Sequence, residues 1–128
     1  MTLKPYQLPM SRILLAEDDD SLRGFLERAL VRAGHDVVSF ANGEEAYERL
    51  LQEPFTLLLT DIVMPRMDGI ELARRATEMD PDLKIMFITG FAAVILNSDV
   101  AVAKEAHVLS KPFHLKDLVR EVERLLAA

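Results

Sequence analysis

Phe55-Thr56-Leu57-Leu58-Leu59-Thr60-Asp61-Ile62-Val63-Met64-Pro65-Arg66-Met67-Asp68-Gly69 is the stretch that decides the fold. Its first six residues form a nearly unbroken apolar run, as a strand buried on both faces requires. Asp61 closes the run, and Pro65 and Gly69 mark the loop beyond it. A carboxylate at the mouth of a buried strand is placed for chemistry. The chain repeats the arrangement. Arg12-Ile13-Leu14-Leu15-Ala16 runs into Glu17-Asp18-Asp19-Asp20, Lys84-Ile85-Met86-Phe87-Ile88 into Thr89-Gly90, and His107-Val108-Leu109-Ser110 into Lys111-Pro112. Four apolar strands each end in a polar group, and open parallel sheets bind ligands outside the carboxyl ends of their strands.

Helical patterns separate these strands. Leu22, Phe25, Leu26, Ala29, Leu30 and Ala33 recur at helical spacing, with an Asp or Ser cap before them and Gly34 after. Asp36-Val37-Val38-Ser39-Phe40 reads as a further short strand. Asn42-Gly43 opens a helix carrying Ala46, Tyr47, Leu50 and Leu51, which Pro54 stops. The next helix spans about Asp68 to Met79, with Glu71 four residues before Arg75, and Asp80-Pro81 ends it. In the last helix Leu115, Leu118, Val119, Val122, Leu125 and Leu126 form one face and charged residues the other. Phe91 to Ala106 is less regular: Asn97-Ser98-Asp99 interrupts it, and its apolar residues keep to no single face. It reads either as a buried helix or as an apolar surface kept for a partner. Five strands alternating with five helices predict an α/β domain, a doubly wound parallel sheet with helices on both faces.

Composition excludes several function classes. At 128 residues the chain suits one domain with a real core. A net charge of -6 argues against generic nucleic-acid binding, which depends on basic surface. The absence of Cys excludes a disulfide framework and thiolate metal sites, and suits a reducing, cytoplasmic setting. No apolar stretch is long enough for a membrane span, and Met1 to Met10 lacks the order of a signal peptide. Pro5 and Pro9 make residues 1–10 an extended tail, leaving 11–128 as the domain.

If the first and third strands are neighbours, Glu17, Asp18 and Asp61 meet at one edge. Like charges about 4 Å apart repel by roughly 4 kcal/mol at an effective dielectric near 20. A hard divalent cation removes that penalty, and Mg²⁺ favours a few carboxylates with water and phosphate oxygens. Lys111 adds an ammonium and Thr89 a hydroxyl at the same mouth, a set suited to a phosphoryl group on a carboxylate. Each part has a plainer reading: the acidic run caps a helix, Asp68-Gly69 starts one, Thr89-Gly90 is a turn and Lys111-Pro112 a solvated loop. Their joint placement at successive strand ends favours the site.

These residues carry a resemblance. Across roughly Arg12 to Leu126 the chain resembles the receiver domain of two-component response regulators, the CheY-like fold. An acidic pair follows strand one (Glu17, Asp18), Asp61 stands in a D-x-x-M-P-x-x-D-G setting, Thr89 follows strand four and Lys111-Pro112 strand five. The resemblance implies strand order 2-1-3-4-5 and Asp61 as phosphoacceptor for a histidine kinase or a histidine phosphotransfer protein. It implies Mg²⁺ held by Asp18, Asp61 and the Val63 backbone carbonyl, with Glu17 acting through water. Thr89 and Lys111 then bind the phosphoryl oxygens, and the Lys111–Pro112 bond is cis. Such a domain is a signalling module, not an enzyme, beyond catalysing its own phosphotransfer to Asp61. One departure is Val108, where the family often has Tyr or Phe; an aromatic rotamer switch is then unavailable.

At finer grain, Ile13–Asp19, Leu58–Pro65, Phe87–Ala93 and Leu109–Pro112 are similar to the stand-alone CpdR-type receivers. That similarity implies no output domain and control of proteolysis by the ATP-dependent protease ClpXP, directly or through an adaptor. The output surface would then combine the penultimate helix, strand five and the last helix, including Phe91, Val94, Ile95, Val100, Val102 and His107. Two alternatives remain. A phosphorelay shuttle would return its phosphoryl group to a His and have no output. A Mg²⁺-dependent phosphohydrolase would carry D-x-D after the first strand, where this chain has Glu17 in the first place.

Overall fold

The computed structural model describes residues 11–90 and 107–127. The expected tail at 1–10 and the irregular segment Phe91 to Ala106 lie outside the described residues. The strands are β1 (Arg12–Ala16), β2 (Asp36–Phe40), β3 (Leu57–Asp61), β4 (Lys84–Thr89) and β5 (His107–Ser110). The described helices are α1 (Asp20–Arg32), α2 (Gly43–Leu50), α3 (Gly69–Met79) and α4 (Leu115–Ala127). All strand pairs are parallel and the sheet order is β2-β1-β3-β4-β5, as the resemblance implied.

The apolar runs work because each strand has a core on both sides. Leu14, Leu58, Ile85 and Phe87 face Leu72, Ala73, Ala46 and Leu50 of α2 and α3. Ile13, Leu15, Leu57, Leu59, Met86 and Ile88 face Leu26, Leu30, Leu118 and Val122 of α1 and α4. Alternate residues of one strand therefore enter opposite cores, which is the two-residue period of extended chain.

Register then sets the site. Ala16 pairs with Thr60, Asp61 with Ile88 and Thr89 with Ser110, so four strands finish at nearly one level. The residues that end or follow them share one edge of the sheet. The helix starts are fastened by side-chain oxygens, as the cap residues predicted: Asp19 accepts from Leu22 N–H, Asn42 from Glu45 N–H and Asp68 from Glu71 N–H. The Glu71–Arg75 pair forms at 2.7 Å, and Arg74 joins it.

Several residues of the predicted apolar stripes are not buried, Ala33 and Leu51 (58% exposed) among them. Phe25 on α1 is 53% exposed and Leu115 at the start of α4 is 37% exposed, whereas Leu26, Leu30, Leu118 and Val122 are fully enclosed. A helix lying on a sheet covers only part of its circumference, and residues at the rim of the stripe stay in solvent.

Candidate functional site

Glu17 extends β1 by one residue. Its N–H donates to the Phe40 carbonyl at the end of β2 at 3.0 Å, and the residue has no exposed surface. Its Oε2 accepts the Asp19 N–H at 3.0 Å and its Oε1 accepts Lys111 Nζ at 3.1 Å. Asp61, at the end of the central strand β3, is nearly buried. Its Oδ1 accepts the N–H of Ile62 at 2.6 Å and its Oδ2 accepts Lys111 Nζ at 2.7 Å. Asp18 is exposed, yet Glu17, Asp18 and Asp61 offer oxygens that all lie within 4.8 Å of one another. The condition set by the sequence, adjacency of the first and third strands, is met.

Thr89 ends β4 and is fully buried; its carbonyl accepts the Lys111 N–H at 2.8 Å. Lys111 follows β5, and the Lys111–Pro112 peptide is cis. Val63 is 58% exposed in the loop after Asp61. That loop is closed by the Gly69 N–H, which donates to the Ile62 carbonyl at 2.7 Å, and by the Asp68 cap. Gly69 is required by close approach: a Cβ there would stand 1.9 Å from the Asp61 carbonyl oxygen. Arg66, at φ 72°, adopts the left-handed conformation in the same loop and reaches Glu44 of α2 at 2.9 Å. Val108 is half-buried and packs against the core under α2 and α3, in the place of the family's frequent aromatic residue.

The electrostatics follow from the burial. Enclosure pushes the Glu17 carboxyl up to about 7; the nearby Asp61 charge adds to the rise, while the Asp19 N–H and Lys111 oppose it. For Lys111, partial burial disfavours the ammonium, but its bonds to Asp61 and Glu17 outweigh this and raise its pKa. One cation therefore bridges two carboxylates, and the third, Asp18, faces water. The donors are all hard oxygens in a compact group, which fits Mg²⁺ and does not fit a metal that prefers sulfur or imidazole.

A testable consequence concerns the metal-free protein. The folded carboxyl of Glu17 holds its proton up to about pH 7, whereas an unfolded chain releases it near 4.5. Its contribution is full below 4.5 and is lost as pH rises through about 7, a change of order 3 kcal/mol. Glu17→Gln should remove that part of the pH dependence and be the more stable protein at pH 8. Urea melts of both proteins from pH 5 to 8 in chelator check this; parallel profiles would refute it.

Sequence reasoning did not single out Arg23. Its guanidinium donates to the Glu17 carbonyl at 2.8 Å through Nη1 and to Asp20 Oδ1 at 2.7 Å through Nη2. The spacing Asp20 to Arg23 signals the ion pair, but a bond back to a main-chain carbonyl leaves no mark in a side-chain pattern.

Comparison with known proteins agrees with this geometry. Residues 13–123 match the response regulator receiver domain family. The chain is 70% identical over 119 residues to the response regulator receiver protein CpdR of Brucella abortus, covering 93% of this chain and 99% of that one. It is similar in structure to a CheY-like receiver domain protein from Methanospirillum hungatei, with TM-score 0.85 and 29% identity over 93% of this chain and 95% of that one. It is also similar to TrrA of Thermotoga maritima, solved in complex with Mg²⁺ and BeF, with TM-score 0.80 and 29% identity over 91% of this chain and 99% of that one. The buried strand-end carboxylate, its lysine and the family match over most of the chain lead to one conclusion: this protein belongs to the response regulator receiver domain family.

Proposed function

We propose that this protein is a stand-alone phosphorelay receiver in which Mg²⁺-dependent phosphorylation of Asp61 switches binding to a partner. The observation that carries the reading is Lys111 Nζ at 2.7 Å from the nearly buried Asp61, with Glu17 and Asp18 gathered beside it. Asp61 is the only one of the three acids placed at the end of the central strand, with a neighbouring backbone N–H holding one oxygen. Its carboxylate forms the new P–O bond as the bond from phosphorus to a donor histidine nitrogen breaks. Lys111 is placed to follow charge from the carboxylate onto the phosphoryl oxygens, and Thr89 supplies a hydroxyl from the next strand. Glu17, Asp18, Asp61 and the Val63 carbonyl would hold Mg²⁺, which supplies charge neutralisation for the incoming phosphoryl group.

Incubation with acetyl phosphate should add one phosphoryl group in Mg²⁺ and none in chelator, read by intact mass. Equal labelling in chelator would sink the reading. Asp18→Asn should weaken Mg²⁺ binding about tenfold or more, since it removes one of few anionic ligands. Lys111→Ala should slow labelling by about one to two orders of magnitude and blunt the spectral change on phosphorylation. A full spectral change in Lys111→Ala would mean that its ammonium does not transmit the signal.

The partner is proposed from the CpdR relative, whose length this chain matches almost completely. A histidine kinase or phosphotransfer protein supplies the phosphoryl group, and the output is substrate delivery to ClpXP, directly or through an adaptor. A pull-down with wild-type and Asp61→Ala protein, followed by a degradation assay with purified ClpXP, tests it. Identical captured proteins in both states, and no change in degradation, would favour the shuttle reading instead.

A further inference from the structure

We propose that Arg23 is the positioning residue of the metal-binding loop: its guanidinium holds the Glu17–Asp18 peptide so that Asp18 stays beside Asp61. The inference rests on the reading that Glu17, Asp18 and Asp61 hold Mg²⁺.

The loop between β1 and α1 is fastened on both sides of Asp18, at Glu17 and at Asp19. Glu17 N–H is held by the Phe40 carbonyl and Glu17 Oε2 by the Asp19 N–H. The Asp19 carboxylate caps α1 through Leu22, and the Asp19 carbonyl accepts the Arg23 N–H at 2.8 Å. A further restraint acts at the Glu17 carbonyl, where Arg23 Nη1 donates at 2.8 Å. A peptide unit is planar, so fixing this carbonyl also fixes the plane that carries the Asp18 N–H and Cα. Asp18 itself is exposed, with solvent on much of its surface. Its approach to within 4.8 Å of two other acids must therefore come from its backbone.

Arginine suits the task because its planar fork serves two acceptors at once. Nη2 is engaged by Asp20 in the first turn of α1, which aims Nη1 back at the strand end. The side chain is mostly buried at 21% exposure, so the bond is less screened than a surface pair. A lysine carries the same charge but cannot reproduce the fork.

Two substitutions separate positioning from charge. Arg23→Lys keeps the charge and loses the fork; Arg23→Met loses both. If Arg23 acted only as a nearby positive charge, the Lys form would bind Mg²⁺ normally and the Met form more tightly. If it positions Asp18, both bind more weakly, by about tenfold, the low end for losing an outer-shell partner of a metal ligand. Isothermal titration of metal-free proteins with MgCl₂ reads this, with thermal melts in chelator to show that each variant is folded. Acetyl phosphate labelling of the variants should recover as Mg²⁺ is raised, and amide NMR shifts should concentrate at residues 17–20. Wild-type affinity in Arg23→Lys, or tighter binding in Arg23→Met, would overturn the inference. Absence of Mg²⁺ binding by the wild-type protein would instead overturn the metal reading beneath it.

Discussion

Asp61→Asn should take up no phosphoryl group from acetyl phosphate under conditions that label the wild-type protein fully. The substitution keeps the shape of the side chain and its place at the end of β3, where Oδ1 accepts the Ile62 N–H. It removes the anionic oxygen that, in the proposed function, would attack phosphorus, and a carboxamide is not a comparable nucleophile. The other two acids cannot substitute. Glu17 is wholly enclosed and spends its oxygens on Asp19 N–H and Lys111, while Asp18 lies outside the bridge that Lys111 makes between Glu17 and Asp61. The expected loss is therefore complete rather than partial. Intact mass of both proteins is decisive, and a labelled Asp61→Asn form would move the acceptor elsewhere. The same variant should fail to change partners when acetyl phosphate is added.

Gly69→Ala should be the most damaging single methyl that can be added near the site. The new Cβ would fall 1.9 Å from the Asp61 carbonyl oxygen and 3.0 Å from the Ile62 Cα, both main-chain atoms that cannot rotate away. Either α3 retreats or the end of β3 is displaced. Retreat breaks the 2.7 Å bond from Gly69 N–H to the Ile62 carbonyl and opens Leu72, Ala73 and Ala76 from the core. We expect a loss of about 3 kcal/mol, at the upper end for overpacking, and a fall in melting temperature of roughly 10 °C. Because Asp61 and Val63 flank the displaced peptide, Mg²⁺ affinity should fall with stability. Urea titration and calorimetric Mg²⁺ titration check the two effects. Wild-type stability would show that the loop yields without strain.

Much of the site was legible because its parts lie where a parallel sheet puts them. Asp61, Thr89 and Lys111 could be read as one group since each ends or follows an apolar strand, and register brings those ends level. Asp19, Asn42 and Asp68 could be read as caps since each precedes a helical pattern and carries a short acceptor. The helix faces were legible only in outline. Leu26 and Phe25 are both apolar neighbours on α1, yet one is fully buried and the other more than half exposed. Periodicity finds the centre of a stripe but not its edges, because the edge depends on what packs alongside.

The sequence alone determined the order and kind of the described elements, the two-sided burial of the strands and the candidate acceptor at Asp61. These are local properties: apolar periodicity, cap chemistry and the side chains at strand ends. Only the tertiary structure decided how the charges are shared. Lys111 bridges Glu17 and Asp61 across separations of 94 and 50 residues, and burial rather than sequence context pushes Glu17 up to about 7. The hold of Arg23 on the Glu17 carbonyl and the close passage of Gly69 over the Asp61 carbonyl are of the same kind. Each involves a main-chain oxygen, which every residue carries, so no pattern of side chains announces it; the packed chain alone brings donor and acceptor together.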